Sequence, residues 1–295
     1  EGAFFGHIIG AKKNQKGDIM RFKRIFLCAV MAGCLSVPVS AEPLPTVELI
    51  SVMDAVKPAI PKETGYAVVN LNIRKSPDKN SEIAGKYKKG EKVNILSDDG
   101  TWARTDMGYV WGGYLAKEYK CDLSIRSDSE EASRYVGYVY DMYNNMEAKY
   151  LKYLEPYDIC VCDNPRQSYD GTLSENTITD GLTHLSKGNG VCERLLFLRA
   201  NKEGLSQAVY HELGHIIDFN DFNSDSFMSD SQTVVDSMEA EMPALKEKYH
   251  ISDQNTSTRM EYFAEAFRLS FSDPDGLRET APHIASYMEN MKAQI

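Results

Sequence analysis

His211 and His215 stand four residues apart in Leu-Ser-Gln-Ala-Val-Tyr-His-Glu-Leu-Gly-His-Ile-Ile-Asp, residues 205–218. On a helix that spacing stacks the two imidazoles on one face, with Cβ atoms about 5–6 Å apart, which suits two nitrogens closing on one Zn²⁺ at roughly 2.0–2.1 Å. Glu212, one residue round from His211, is placed to miss the metal yet reach water held there, and is therefore the candidate general base. The competing reading is a core helix with two incidental histidines. A chance His-Glu-x-x-His in a chain of this composition is on the order of one in a hundred, which favours the metal.

A catalytic zinc keeps three protein ligands and one open position, so the pair needs a partner. The richest source is Arg-Met-Glu-Tyr-Phe-Ala-Glu-Ala-Phe, residues 259–267. Glu261 and Glu265 are like charges at i, i+4, an arrangement that costs a few tenths of a kcal/mol on a solvated helix and turns favourable beside a cation. We assign Glu261 as the third ligand and Glu265 as the carboxylate that orients a ligand histidine. Against this stands the plain capping box Thr258-x-x-Glu261, with Glu265 facing water. The chemistry expected is hydrolysis with one zinc ion: the metal acidifies water and polarises a carbonyl, and Glu212 moves the proton to the leaving amine.

The elements that must position these groups follow from hydrophobic spacing. Leu205, Ala208, Val209, Ile216 and Ile217 give the histidine helix an apolar face. Val191–Leu198, with the run Leu195, Leu196, Phe197 and Leu198, reads as a strand just before it and as the edge on which an extended peptide would pair. Ile159–Cys162 reads as another strand and residues 163–190 as a loop rich in Gly, Asp and Thr. A capping box at Ser127-x-x-Glu130 opens one long tyrosine-rich helix to Leu154. Further helices are expected over Ser229–Tyr249, Thr258–Ser270 and Pro282–Lys292. Upstream, from Gly65, five or six short strands of β-branched and aromatic residues broken by turn signals predict a small β-barrel. Its Tyr66, Tyr87, Trp102 and Trp111 fit either the barrel core or a binding face.

The ends and the charge bound the setting. A chain of 295 residues has room for two cores. A net charge of −10 argues against a nucleic-acid partner. Residues 20–41 read as a signal peptide: a basic start, an apolar run from Ile25 to Val37 too short to span a bilayer, and a cleavage site after Ala41. The alternative is lipoprotein processing at Cys34. Residues 1–19 read as untranslated upstream DNA, because Lys16-Gly17-Asp18-Ile19 back-translates to a ribosome-binding sequence ahead of Met20. Residues 42–63 are a Pro-containing linker, and no second membrane segment is expected in the mature protein. Removing the leader leaves Cys121, Cys160, Cys162 and Cys192, open to three disulfide connectivities or to free thiols.

Two resemblances sharpen the picture. Leu71-Asn-Ile-Arg74, Ile83 to Gly90, Trp102 and Gly108-Tyr-Val-Trp111 resemble a bacterial SH3-type domain, here residues 64–119, a module that implies attachment to a cell-wall component. His-Glu-Leu-Gly-His-Ile-Ile-Asp followed by Glu-Tyr-Phe-Ala-Glu-Ala-Phe resembles the zinc-peptidase domain of anthrax lethal factor and the Pro-Pro endopeptidases, here residues 120–295. That match implies His211, His215 and Glu261 as ligands, Glu212 as base, and a protein or peptide substrate, proline-rich by analogy. The family places an oxyanion-steadying tyrosine seven residues before its glutamate ligand, where this chain has Gln254; either an indel lets Tyr249 serve, or Gln254 or His250 donates instead, or the oxyanion is less well stabilised. The expected architecture is multidomain, a small SH3-like β-barrel plus an α+β zincin-like domain, mostly helical with a short sheet. The expected function is a secreted or wall-associated zinc endopeptidase of gluzincin type; the alternatives are an inactive wall-binding relative and a peptidoglycan hydrolase.

Overall fold

The computed structural model describes residues 61–171, 179–188, 191–219, 227–253 and 257–295. The expectations for the upstream segment, the leader, most of the linker and Gln254 lie outside the described residues. The described part belongs to one unit, Ala55–Ile295.

Seven short strands form the first sheet: β1 (Glu63–Ala67), β2 (Leu71–Arg74), β3 (Ile83–Tyr87), β4 (Lys92–Asp98), β5 (Trp102–Thr105), β6 (Tyr109–Trp111) and β7 (Leu115–Ala116). They run in the order β3-β2-β6-β5-β4-β1-β7. Alternation decides what is inside: Leu71 and Ile73, Val93 and Ile95, Ala103 and Val110 fill the core with Ala67 and Tyr87. Tyr87 is thus core. Trp102 and Trp111 are half-buried and meet edge to face at 5.4 Å.

The second sheet is built from β8 (Ser124–Ser127), β9 (Asp158–Cys162), β10 (Gly181–Gly188) and β11 (Val191–Arg199), in the order β10-β11-β9-β8. β9 runs parallel to both β8 and β11, whereas β10 is antiparallel to β11. Around it lie α1 (Glu130–Ser133), α2 (Val136–Asn144), α3 (Ala148–Leu154), α4 (Pro165–Asp170), α5 (Lys202–Asp218), α6 (Gln232–Tyr249), α7 (Arg259–Ser272), α8 (Pro274–Thr280) and α9 (Pro282–Gln294). One face of the sheet, through Ile159, Val161, Leu196 and Leu198, joins the main core with α2, α5 and α7. The other carries Cys160, Cys162 and Phe197 under Tyr169 and Leu182.

Three expectations need correction. The single helix to Leu154 is three, because one straight rod cannot turn tyrosines from all its faces inward; broken into α1–α3, it buries Tyr140, Tyr143 and Tyr150 in one core. Its cap is Ser129, which accepts from the Ala132 amide at 3.0 Å, while Ser127 belongs to β8. The loop assigned to 163–190 contains α4 and β10. Of the two states left open for the cysteines, the four described ones are free thiols.

The barrel is seated directly on α2. A Cβ added at Gly137 would collide with the Leu115 backbone, 2.8 Å from its carbonyl carbon. Val68 and Ala116 of the barrel enter the main core. Arg134 lies 5.3 Å over the Trp111 ring and donates to Thr101 Oγ1 at 2.8 Å. The Lys117 amide donates to Asp141 at 2.7 Å, and Asn144 Nδ2 donates to the Glu118 carbonyl at 2.7 Å. No helix among the described residues is long and apolar enough to cross a membrane.

Candidate metal centre

Helix α5 begins where Asn201 accepts the Glu203 amide at 3.1 Å and runs through both histidines. Helix α7 begins where Thr258 accepts the Glu261 amide at 3.2 Å. A reciprocal capping box would fold the Glu261 carboxylate back on Thr258. It points across to α5 instead.

There Glu261 Oε2 lies 3.2 Å from His211 Nε2 and 3.5 Å from His215 Nε2. The three form a group whose ligand atoms all fall within 4.8 Å of one another. Ligands about 2.0–2.1 Å from a tetrahedral zinc are separated by about 3.3 Å along the tetrahedron's edges. Two imidazole nitrogens and one carboxylate oxygen at these spacings fit that ion in number, chemistry and distance. The imidazoles are nearly perpendicular, at 84°. Without a metal the cluster must hold a proton. Burial pulls His211 down, but the Glu261 and Glu265 carboxylates outweigh it and raise its pKa to about 10. Burial likewise opposes ionisation of Glu261, yet His211 and His215 hold it far below the carboxylate range.

Glu265, one turn along α7, accepts from the other nitrogen of His211, Nδ1, at 3.2 Å. Arg268 donates to the same carboxylate through Nε at 3.0 Å and through a guanidinium NH₂. Glu265 is buried, which resists its charge, but His211 and Arg268 bring its pKa down to about 2. The chain Arg268, Glu265, His211 therefore fixes the ring's tautomer, Nε2 facing the candidate metal position. Sequence reasoning missed Arg268, although its i, i+3 spacing from Glu265 was available. It also passed over Asp218, which lies buried three residues after His215 and ties the end of α5 to Ser229 through bonds of 2.7 and 2.8 Å.

Glu212 is 4% exposed and lines, with the cluster, a cavity of about 900 Å³. Its far wall is the lead-in and first turns of β10, Thr179 to Thr183. The edge expected from Leu195 to Leu198 is not there: β11 is paired on both sides, Leu198 with Gly181 of β10 and with Val161 of β9. β10 is the sheet's edge on this side. Its Gly, Ser, Lys and His content hid it, since its strand conformation comes from pairing with β11 rather than from local propensity.

Tyr249 lines the cavity, but its hydroxyl donates to Asp273 at 2.9 Å. Asp273 is twelve residues beyond Glu261 along α7, about 18 Å at helical rise. The hydroxyl is therefore directed away from the cluster, drawn by the carboxylate that also caps α8. His250, next in the chain, faces the same cavity in a left-handed conformation, φ 53°.

With this geometry in view, comparison with known proteins gives two family matches. Residues 69–116 match the bacterial SH3 domain, and residues 196–291 match the anthrax toxin lethal factor N- and C-terminal domain. No curated protein matches the chain. Among solved structures, the Pro-Pro endopeptidase PPEP-2 from Paenibacillus alvei is similar at 16% identity and a TM-score of 0.41, over 57% of this chain and 97% of that one. The chain thus carries a span similar to a bacterial SH3 domain followed by one similar to the anthrax lethal factor domain, and the second span holds His211, His215 and Glu261.

Proposed function

We propose that this protein is a zinc-dependent endopeptidase, exported and held at the cell wall by its barrel. The observation that carries the reading is the His211, His215 and Glu261 cluster, with Glu212 in the same cavity beside a strand that is the sheet's edge among the described residues. His211, His215 and Glu261 hold the ion, which when bound supplies Lewis acidity and lowers the pKa of water toward neutrality. Glu212 takes the proton of the attacking water on its carboxylate and returns it to the departing amine nitrogen. Arg268 and Glu265 keep His211 in register throughout. An extended substrate pairs its main chain with the free edge of β10, so that backbone bonds hold it and the cavity walls select its side chains. Of Tyr249 and His250, His250 is nearer in sequence to the place expected for an oxyanion donor, and it faces the cavity, so we assign it that role in place of Tyr249.

The test is cleavage-site mapping on a proteome-derived peptide library that includes proline-flanked bonds. Zinc-loaded protein should cut internal bonds, lose activity to a chelator and regain it with zinc. Intact peptides after incubation with fully loaded protein would overturn the reading.

A further inference from the structure

The Glu212 carboxylate has a seat outside the metal cluster. Thr183 Oγ1 donates to Glu212 Oε2 at 2.7 Å. Gly181, two residues earlier and so on the same face of β10, meets the other side of that group: a Cβ added there would lie 2.7 Å from Glu212 Cδ and closer still to Oε1. The opposite face of the strand is pinned separately. Leu182 packs on the cluster of Cys160, Cys162 and Phe197, and His184 Nδ1 shares a hydrogen bond of 2.9 Å with Tyr169 Oη.

From these contacts we infer that Gly181 and Thr183 are the positioning residues of Glu212: the absent side chain at 181 makes room for the carboxylate, and the hydroxyl at 183 aims it. This rests on the peptidase reading for its catalytic consequence, but not for the contact itself. A carboxylate on three rotatable bonds, 4% exposed and beside a cavity, has other rotamers open to it. The hydroxyl selects one, and misplacing a reacting group by about 1 Å costs on the order of a hundredfold in rate. The same strand offers its outer edge to substrate, so whatever orders β10 on binding also orders the base.

The test uses the full chain with Thr183→Val, which keeps the shape and removes the donor, Thr183→Ser, which keeps the donor, and Gly181→Ala. Zinc content should be unchanged in all three, because no metal ligand is touched. Thr183→Val should lower kcat by about tenfold to a hundredfold with KM little changed. Thr183→Ser should recover most of that loss, and Gly181→Ala should resemble Thr183→Val.

A second readout is independent of activity. In metal-free protein, Thr183→Val should lower Tm by about 2–4 °C, and that loss should largely vanish in a Glu212→Ala background, as expected when two groups are coupled. Normal kcat in Thr183→Val, equal damage from Val and Ser, or an equal Tm loss in both backgrounds would each overturn the assignment. Should the zinc-loaded wild type cleave nothing, the peptidase reading fails, and the metal-free cycle still decides whether Thr183 holds Glu212.

Discussion

Gly214 and Ala264 meet where α5 crosses α7: a Cβ on Gly214 would lie 2.8 Å from Ala264 Cα and 3.1 Å from its carbonyl oxygen. Gly214 stands between His211 and His215 in the chain, and Ala264 between Glu261 and Glu265. This contact therefore sets how closely imidazoles and carboxylates approach, and the obstacle is backbone, which cannot step aside. On an exposed helix Gly→Ala stabilises by about 0.8–1 kcal/mol. Overpacking costs about 1–3 kcal/mol. We expect Gly214→Ala to lower Tm and weaken zinc binding, read by thermal unfolding and by competition with a chromophoric chelator. A raised Tm with full zinc content would show that the helices do not touch here.

Glu261 and Glu265 should differ in kind. Glu261→Gln exchanges a charged ligand for a weak neutral one and should empty the site at zinc concentrations that fill the wild type. Glu265→Gln keeps an acceptor for His211 Nδ1, so its loss of affinity should stay within about 10–100-fold. The order of the two dissociation constants is the measurement. Retention of zinc by Glu261→Gln alongside its loss from Glu265→Gln would reverse the roles.

Proton linkage gives a third expectation. In metal-free protein the folded pKa of His211, about 10, lies above its ordinary value of 6.5. Its pairing with Glu261 and Glu265 therefore adds stability that is fully present below about pH 6.5 and fades as pH rises through about 10. Glu265 behaves oppositely: its pKa of about 2 against an ordinary 4.5 adds stability above about pH 4.5 that is lost on acidification toward 2. Zinc must displace the His211 proton, so uptake at pH 7 should release about one proton per ion. Titration calorimetry in two buffers of different ionisation enthalpy measures it, and identical heats in both would contradict the linkage.

The barrel should behave as one body with the helical domain it sits on. Gly137→Ala drives a Cβ into the Leu115 backbone, and overpacking of about 1–3 kcal/mol should loosen the seat that covers Val68 and Ala116. Limited proteolysis should then cut between residues 117 and 123 faster than in the wild type. Wall binding is best read on the full chain, by sedimentation with purified walls, since the isolated barrel would expose that seat.

The sequence made some of this legible and hid the rest for physical reasons. His211, His215, Glu261 and Glu265 announce themselves because helical periodicity turns spacing into proximity, and the structure gathers them from two helices. β10 did not, because Gly181 to Gly188 has little intrinsic strand preference and is held by its partner. Thr183 was invisible as well: 29 residues separate it from Glu212, and only the packing of α5 against β10 brings them together. Tyr249 stood near the expected oxyanion position by count, yet a tertiary bond to Asp273 turned its hydroxyl elsewhere. Gly214 and Gly137 looked like ordinary helix residues until the elements crossing them were known.

On the proposed reading, Glu212 carries protons at a zinc site it does not itself ligate. The direct measurement pairs zinc stoichiometry with turnover for wild type and Glu212→Ala on one cleaved peptide. One zinc per chain is expected in both, with loss of most turnover in the variant, and His211→Ala should lose the metal as well. Near-normal turnover by zinc-loaded Glu212→Ala would contradict it.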